Sequence, residues 1–340
     1  MKVLYFGPTW HGSNAQSFRR AFERLGHDVA VVDLETPIQD PYRSVPMKIV
    51  RRLAGGPLER HRKMIRGAAV RAAKESRPEL VFFCKTIHLD GQTLADIKKA
   101  SGAFLIHWHP DDYRNPANQT PAFLGALPLF DVCVTPKSFN VAELEADGAR
   151  RVEFLPYAFD PEVHHPVPPR PGPPRAACFV GAWEAERAAY LQAAAERGVD
   201  LEVWGGRWER AGRGSALRRV CTFQSVFADD MARVFASSNL SLGFLRKVNR
   251  DRHTARTFEI PASGGLLLAE RTDEQRSFFE EGREALYFDT AEEMIATIQE
   301  YANRPTDVAR MRKAAVERCW RDGYSYEARL KGLLTKLALV

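Results

Sequence analysis

Three residues in the last third of the sequence have the types and spacing of a site for a phosphate and a diol. Asp251, Arg256 and Glu259 lie in DRHTARTFEIPASGG, which runs directly into the apolar stretch LLLAE. A guanidinium grips phosphate oxygens through two parallel N–H donors. A carboxylate one turn further on can accept from two neighbouring ribose hydroxyls, as acidic residues do in dinucleotide folds. A helix beginning near His253 or Thr254 would offer the same ligand unpaired N–H groups and the positive end of its dipole. On spacing alone, an arginine and a glutamate at i, i+3 equally describe a surface ion pair of little energetic weight.

Further candidates sit at the ends of apolar runs. In FVGAWEAER, Gly181 closes a strand and Arg187 opens a helix, an arrangement that suits a phosphate and also an ordinary turn. Trp204, in WGGRW, can wall a base or pack under its own loop. In AFLIHWHPDDYRN, His107, His109, Asp111 and Asp112 crowd the end of a predicted strand, where an imidazole or carboxylate could orient an acceptor or take its proton. Pro110 followed by two aspartates is also good turn chemistry. His11 and Gly12, in the first strand-to-helix loop, are a further pair of cleft candidates. The dinucleotide GxGxxG, the GxxxxGK[ST] phosphate loop, HExxH and GxSxG are all absent, so nicotinamide chemistry, P-loop hydrolysis and zinc or serine hydrolysis lack their signals.

The elements that must position these residues alternate regularly. KVLYFG, DVAVVDL, ELVFFCK, AFLIHWH and FDVCVTP are apolar runs separated by helical patterns, which predicts a parallel α/β sheet covered on both faces. HHPVPPRPGPPRAA can be neither a central strand nor a continuing helix and reads as a linker. The alternation then restarts with ACFVGAW, DLEVWGG, NLSLGFL, GLLLAE and ALYFD. The expected organisation is two Rossmann-like domains, 1–165 and 173–322, facing each other across a cleft at the carboxyl ends of both sheets. The final helix, within 325–340, is expected to return to the first domain, because Leu330, Leu333, Leu334 and Leu337 share one face.

Composition narrows the class. The 340 residues are 45% hydrophobic with a net charge of +6, as expected of a globular chain with more than one core. Five scattered cysteines without a CxxC pair favour reduced core residues and a cytoplasmic location, and no zinc or other metal site is expected. Ten Lys or Arg fall between Lys48 and Arg77, with apolar residues interleaved. That segment reads either as a solvated helical face or as a peripheral dock for an anionic membrane such as the inner membrane face. Basic charge without interleaved aromatics argues against nucleic acid as a partner.

The Asp251–Gly265 segment resembles the donor motif of group 1 glycosyltransferases, most closely the CgeB-like branch. Asp251 and Glu259 match the two acidic positions eight residues apart, Arg256 the basic position, and Ala262–Gly265 the turn. The detailed resemblance runs from about Cys178 to Arg329; here the first acidic position is Asp where relatives carry Glu. It implies the GT-B fold and transfer of a hexose-type sugar from a nucleotide diphosphate donor to a hydroxyl acceptor, with retention and without a cofactor or divalent ion. It further implies a donor site at Gly181, Arg187, Trp204, Thr254, Arg256 and Glu259. His109, Asp111, Asp112 and Asp251 are the catalytic candidates, and His11, Gly12 and His107 line the cleft. Pro261 predicts a helix that starts late or kinks. A non-catalytic sugar- or nucleotide-binding protein of envelope or spore-coat assembly, and a sugar-nucleotide epimerase of the same fold, fit the same pattern.

Overall fold

The computed structural model describes residues 1–8, 13–33 and 55–340, backbone alone for 55–62. His11 and Gly12, and the start of the basic segment up to residue 54, lie outside the described residues. The chain forms two units, Met1–Pro156 with Leu330–Val340, and Tyr157–Arg329.

In the first unit, β1 (Lys2–Phe6), β2 (Asp28–Val32), β3 (Leu80–Cys84), β4 (Phe104–Trp108), β5 (Val132–Thr135) and β6 (Val152–Phe154) form one sheet in the order β2-β1-β3-β4-β5-β6. All pairings are parallel. The crossovers carry α1 (Asn14–Arg24), α2 (Gly55–Ser76), α3 (Gly91–Ser101), α4 (Pro121–Ala126) and α5 (Asn140–Ala146). Helix α3 shows how locally these bounds are set. Asp90 caps its first turn by accepting from Thr93 N, and Gly102 at φ 69° ends it in the left-handed region open to glycine. Alternating side chains of β1 and β3 feed two cores: Tyr5 stacks on Phe82 beside Phe18 and Phe22, while Phe6 stacks on Phe83 beside Phe130. β3 is buried throughout, as a central parallel strand should be. β2 is not: DVAVV lies at the sheet edge with Asp28, Ala30 and Val31 exposed. A continuous apolar run does not distinguish an edge strand from a central one.

In the second unit, β7 (Arg175–Val180), β8 (Leu201–Trp204), β9 (Ser238–Gly243), β10 (Leu267–Glu270) and β11 (Leu286–Phe288) form a second all-parallel sheet in the order β11-β10-β9-β7-β8. Its helices include α6 (Ala185–Glu196), α7 (Ala216–Val220), α8 (Ala228–Ala236), α9 (Arg256–Ala262), α10 (Asp273–Phe278), α11 (Ala291–Ala302) and α12 (Pro305–Arg321). In both sheets the first strand sits between the second and the third. The strand order therefore reverses at β1/β3 and at β7/β9, and the carboxyl ends at such reversals are where open α/β sheets hold ligands.

The units divide elsewhere than composition indicates. The expected linker, 165–173, belongs to the second unit. Arg170 N donates to Ser237 Oγ at 2.8 Å, its guanidinium grips Glu202, and Pro166 packs over Gly264. Proline marks where a helix or central strand cannot form, and says nothing about where contacts thin out. The last helix, α13 (Tyr326–Lys336), crosses the other division. Arg329 caps Tyr157 O in the second unit, while Leu330, Leu333, Leu334 and Leu337 are buried and Lys336 pairs with Glu153 in the first. The five cysteines are free and buried, and no described helix is long and apolar enough to cross a membrane.

Candidate functional site

The reversal in the second sheet places β7 and β9 side by side, and the residues that follow each carry charge. β7 ends at Val180 and leads through Gly181 to Glu184 and Arg187; β9 ends at Gly243 and leads to Arg246 and Asp251. Glu184 joins the two loops, accepting Arg187 Nη2 at 2.9 Å and Arg246 Nε at 3.1 Å. Asp251 closes its own loop by accepting Arg246 N at 3.1 Å. Burial pulls the Arg187 pKa down, Glu184 pulls it back up, and Arg246 adds to the fall. Glu184 and Arg246 escaped the sequence reading. Their signal was the charge a few residues after each strand, as in FLRK after NLSLG.

Arg256 ties α9 to this strand end. Its Nε donates to Val180 O at 3.2 Å, its Nη1 pairs with Glu259, and Nη2 has no partner among the described residues. Glu259 is buried, and its other oxygen lies 3.6 Å from His164 Nε2. His164 Nδ1 accepts from Asp160 N at 3.0 Å, so the neutral ring carries its proton on Nε2, toward Glu259. Burial pushes the Glu259 carboxyl up, and the Arg256 charge and hydrogen bond, helped by His164, overcome it, leaving the pKa below the usual glutamate value. The carboxylate of this pair is buried while Arg256 stays partly exposed, so the pair is not the wholly exposed one that spacing alone allowed. Helix α9 starts at Arg256, two residues beyond Thr254, whose own N–H is taken by Thr257 Oγ1. Pro261 lies inside α9, which ends one residue later, before Gly264 turns with φ 78°. The helix is therefore short, with few free N–H groups, and the cation at the site comes from side chains.

The glycine turn has a packing reason. Gly181 O accepts Trp208 Nε1 at 2.9 Å, and a Cβ on Gly181 would stand 2.6 Å from the Phe179 ring. Gly205 has φ 132°, and a Cβ there would stand 2.1 Å from Gly181 O. The two strand ends interlock only because both positions lack side chains. Trp204 lies under the Arg170 guanidinium, 5.7 Å from it, so its ring is committed to the proline-rich strap that Arg170 anchors.

In the first unit the four clustered candidates separate. His107 is fully buried between Phe123 and Phe130, with ring centroids 4.8 and 4.9 Å away, and lines no cleft. Its position inside β4 turns it into the core rather than off the strand end. His109 lies 2.9 Å from Asp111 O through Nδ1 and 2.8 Å from Asn118 O through Nε2. Burial holds its pKa below the usual imidazole value against the upward pull of the Asn118 carbonyl. The neutral ring, seated between two carbonyls, donates its one N–H to one of them and ties down the 109–118 loop. Asp112 is likewise buried, accepting Asn140 Nδ2 at 3.0 Å and Arg114 N at 3.1 Å. Asp111 is left at the strand end, paired with Lys85, whose Nζ also reaches Asn118. Lys85 directly follows β3 and has φ 53°, a conformation that a side-chain-bearing residue adopts only under constraint. Sequence reasoning missed it; a lysine directly after LVFFC was the available signal. Among the described residues no three His, Cys, Asp or Glu side chains converge as metal ligands.

Residues 187–335 match the model of a family described as Glycosyl transferase-like. No curated protein matches the sequence. Among solved structures, HepE of Anabaena in complex with UDP-glucose superposes with a TM-score of 0.66 at 11% identity, covering 100% of both chains. A sucrose-phosphate synthase from Thermosynechococcus elongatus gives 0.67 at 14% identity over 99% of this chain and 98% of the other. A putative UDP-N-acetylglucosamine 2-epimerase from Listeria monocytogenes gives 0.55 at 15% identity over 99% and 96%. At these identities the likeness shows the fold: each unit has the parallel-sheet α/β architecture of the GT-B glycosyltransferases.

Proposed function

We propose that the protein is a glycosyltransferase that takes a UDP-sugar donor at the carboxyl end of the second sheet and transfers its hexose to a hydroxyl acceptor, with retention. The observation that carries this is Arg256. Its guanidinium is fixed on Val180 O at the β7/β9 reversal and on Glu259 within α9, which leaves Nη2 for a phosphate oxygen. The matched family and the UDP-glucose complex of HepE support the same reading.

In this reading Arg256 and Arg187 neutralise the diphosphate, and charge builds there as the sugar departs. Glu259, held ionised by Arg256 and His164, accepts from the ribose hydroxyls. Asp251, locked to Arg246 N, sets the loop that closes on the sugar. In a retaining reaction the donor phosphate itself can take the acceptor proton, so no protein nucleophile is required, and positioning supplies much of the rate. The acceptor side is assigned to the first unit, where Asp111 and Lys85 are among the polar groups at the strand ends. No divalent ion is assigned a step. The test is donor turnover with a panel of hydroxyl acceptors, against the Arg256→Gln variant. UDP release that requires both an acceptor and Arg256 supports transfer; conversion of the donor sugar without any acceptor would instead make the protein an epimerase.

A further inference from the structure

At the opposite, amino end of the second sheet lies a cavity of about 580 Å3. It opens where β7, β8 and β9 begin, walled on one side by the proline run 169–174 and on the other by the first turns of α12. Three arginines, Arg170, Arg175 and Arg312, are among the residues that line it, with two acids, Asp200 and Glu202. Arg170 is held by Glu202, and Arg175 by Asp200 at 2.7 Å. Among the described residues Arg312 pairs with no carboxylate. Its Nη atoms rest on the carbonyls of Phe235, Ala236, Ser238 and Asn239, and its buried Nε has no partner among the described residues.

Phe235 O and Ala236 O close the end of α8 while Ser238 O and Asn239 O open β9, and a helix carboxyl end offers only about half a negative charge. Burial accordingly pulls the Arg312 pKa down, with Cys178 the group that pulls it part of the way back and no carboxylate contributing. A cation taken out of water beside a cavity, with its charge half matched, is stabilised by an anion entering that cavity. Arg175 is half exposed at the rim and can exchange Asp200 for a ligand at little cost. The lining prolines lack N–H donors and give the body of such a ligand an apolar wall.

We propose that this cavity is a second binding site, for a small phosphorylated or carboxylated molecule whose anionic group is held by Arg312 and Arg175. Hydrogen exchange read by mass spectrometry locates binding by segment, so occupancy here is distinguished from anion binding near Arg256. Inorganic phosphate and malonate are titrated separately against the full chain. The expected result is saturable protection of 169–175, 236–239 and 305–312. Protection by phosphate alone assigns a phosphorylated ligand, and by malonate alone a carboxylated one. Arg175→Ala lies at an exposed rim, and Arg312→Gln keeps a donor for the α8 carbonyls, so both variants should fold. Each should raise the half-saturating concentration roughly tenfold or more, the loss expected of a charge-assisted contact. No protection of these segments up to about 10 mM of either anion, ten times a millimolar dissociation constant, would overturn the proposal. Protection unchanged in both variants would do the same.

Discussion

Removing the Arg256 charge tests the donor site most directly, and the structure determines which substitution reads cleanly. Arg256→Ala would strip the cation from Glu259, which is buried at 4% exposure, and an uncompensated buried carboxylate typically costs about 3 to 5 kcal/mol. Arg256 is itself about one-third exposed, so the low end of that range applies, yet even this loss would blur binding with folding. Arg256→Gln keeps an N–H for Val180 O and an amide beside Glu259 while deleting the charge. The diphosphate should lose a charge-assisted contact of roughly 1.5 to 3 kcal/mol, or about 10- to 150-fold in affinity. Uridine has no phosphate to lose and should weaken less than about threefold. Glu259→Gln should weaken uridine and UDP by the same factor, because the ribose loses a charged acceptor in both. Calorimetry of the two variants with the two ligands gives four comparisons. Equal losses of UDP and uridine in Arg256→Gln would refute the assignment of Arg256 to phosphate, and unchanged affinities in a folded Glu259→Gln protein would remove the ribose from α9.

Gly205→Ala should lower stability by about 1 to 3 kcal/mol or more, seen as a lower Tm, since φ is 132° and the new Cβ would overlap Gly181 O, whereas Gly206→Ala should be mild because nothing lies within 4 Å of its Cβ. Because the folded Glu259 pKa lies below its ordinary value of 4.5, the stability from that pairing is complete above pH 4.5 and lost as pH falls through the folded pKa. Urea melts across that range should therefore show a shallower acid loss in Glu259→Gln than in the wild type. Donor turnover should be insensitive to EDTA, and its abolition by EDTA with restoration by a divalent ion would contradict the metal-free reading. If the basic segment docks on membrane, replacing Arg51, Arg52, Arg62 and Lys63 with Gln should release the protein from anionic vesicles at about 1 kcal/mol per residue. Equal sedimentation of both proteins with such vesicles would leave a solvated face.

The two parallel sheets were legible in the sequence because a buried parallel strand is written as a short continuous apolar run, and LVFFC, ACFV and GLLLAE are such runs. Arg256 and Glu259 were legible for a related reason: one helical turn fixes their distance, so spacing translates into geometry. What spacing could not carry was the third dimension. Nothing between Val180 and Arg256 in the chain announces that the strand end and the helix meet, nor that His164, from a proline-rich run read as a linker, lies against Glu259. The crowded AFLIHWHPDDYRN shows the converse error. Adjacent residues on a strand point to opposite faces, and those beyond it enter a loop whose carbonyls need donors. Side-chain direction therefore sends His107 into an aromatic core, and the loop's own hydrogen bonds engage His109 and Asp112. Lys85, with no polar neighbour in sequence before it, is brought to Asp111 by the pairing of β3 with β4. A site at the end of a parallel sheet is assembled from single residues after different strands, so a cluster within one segment is weaker grounds for function than one charged residue after each of several strands.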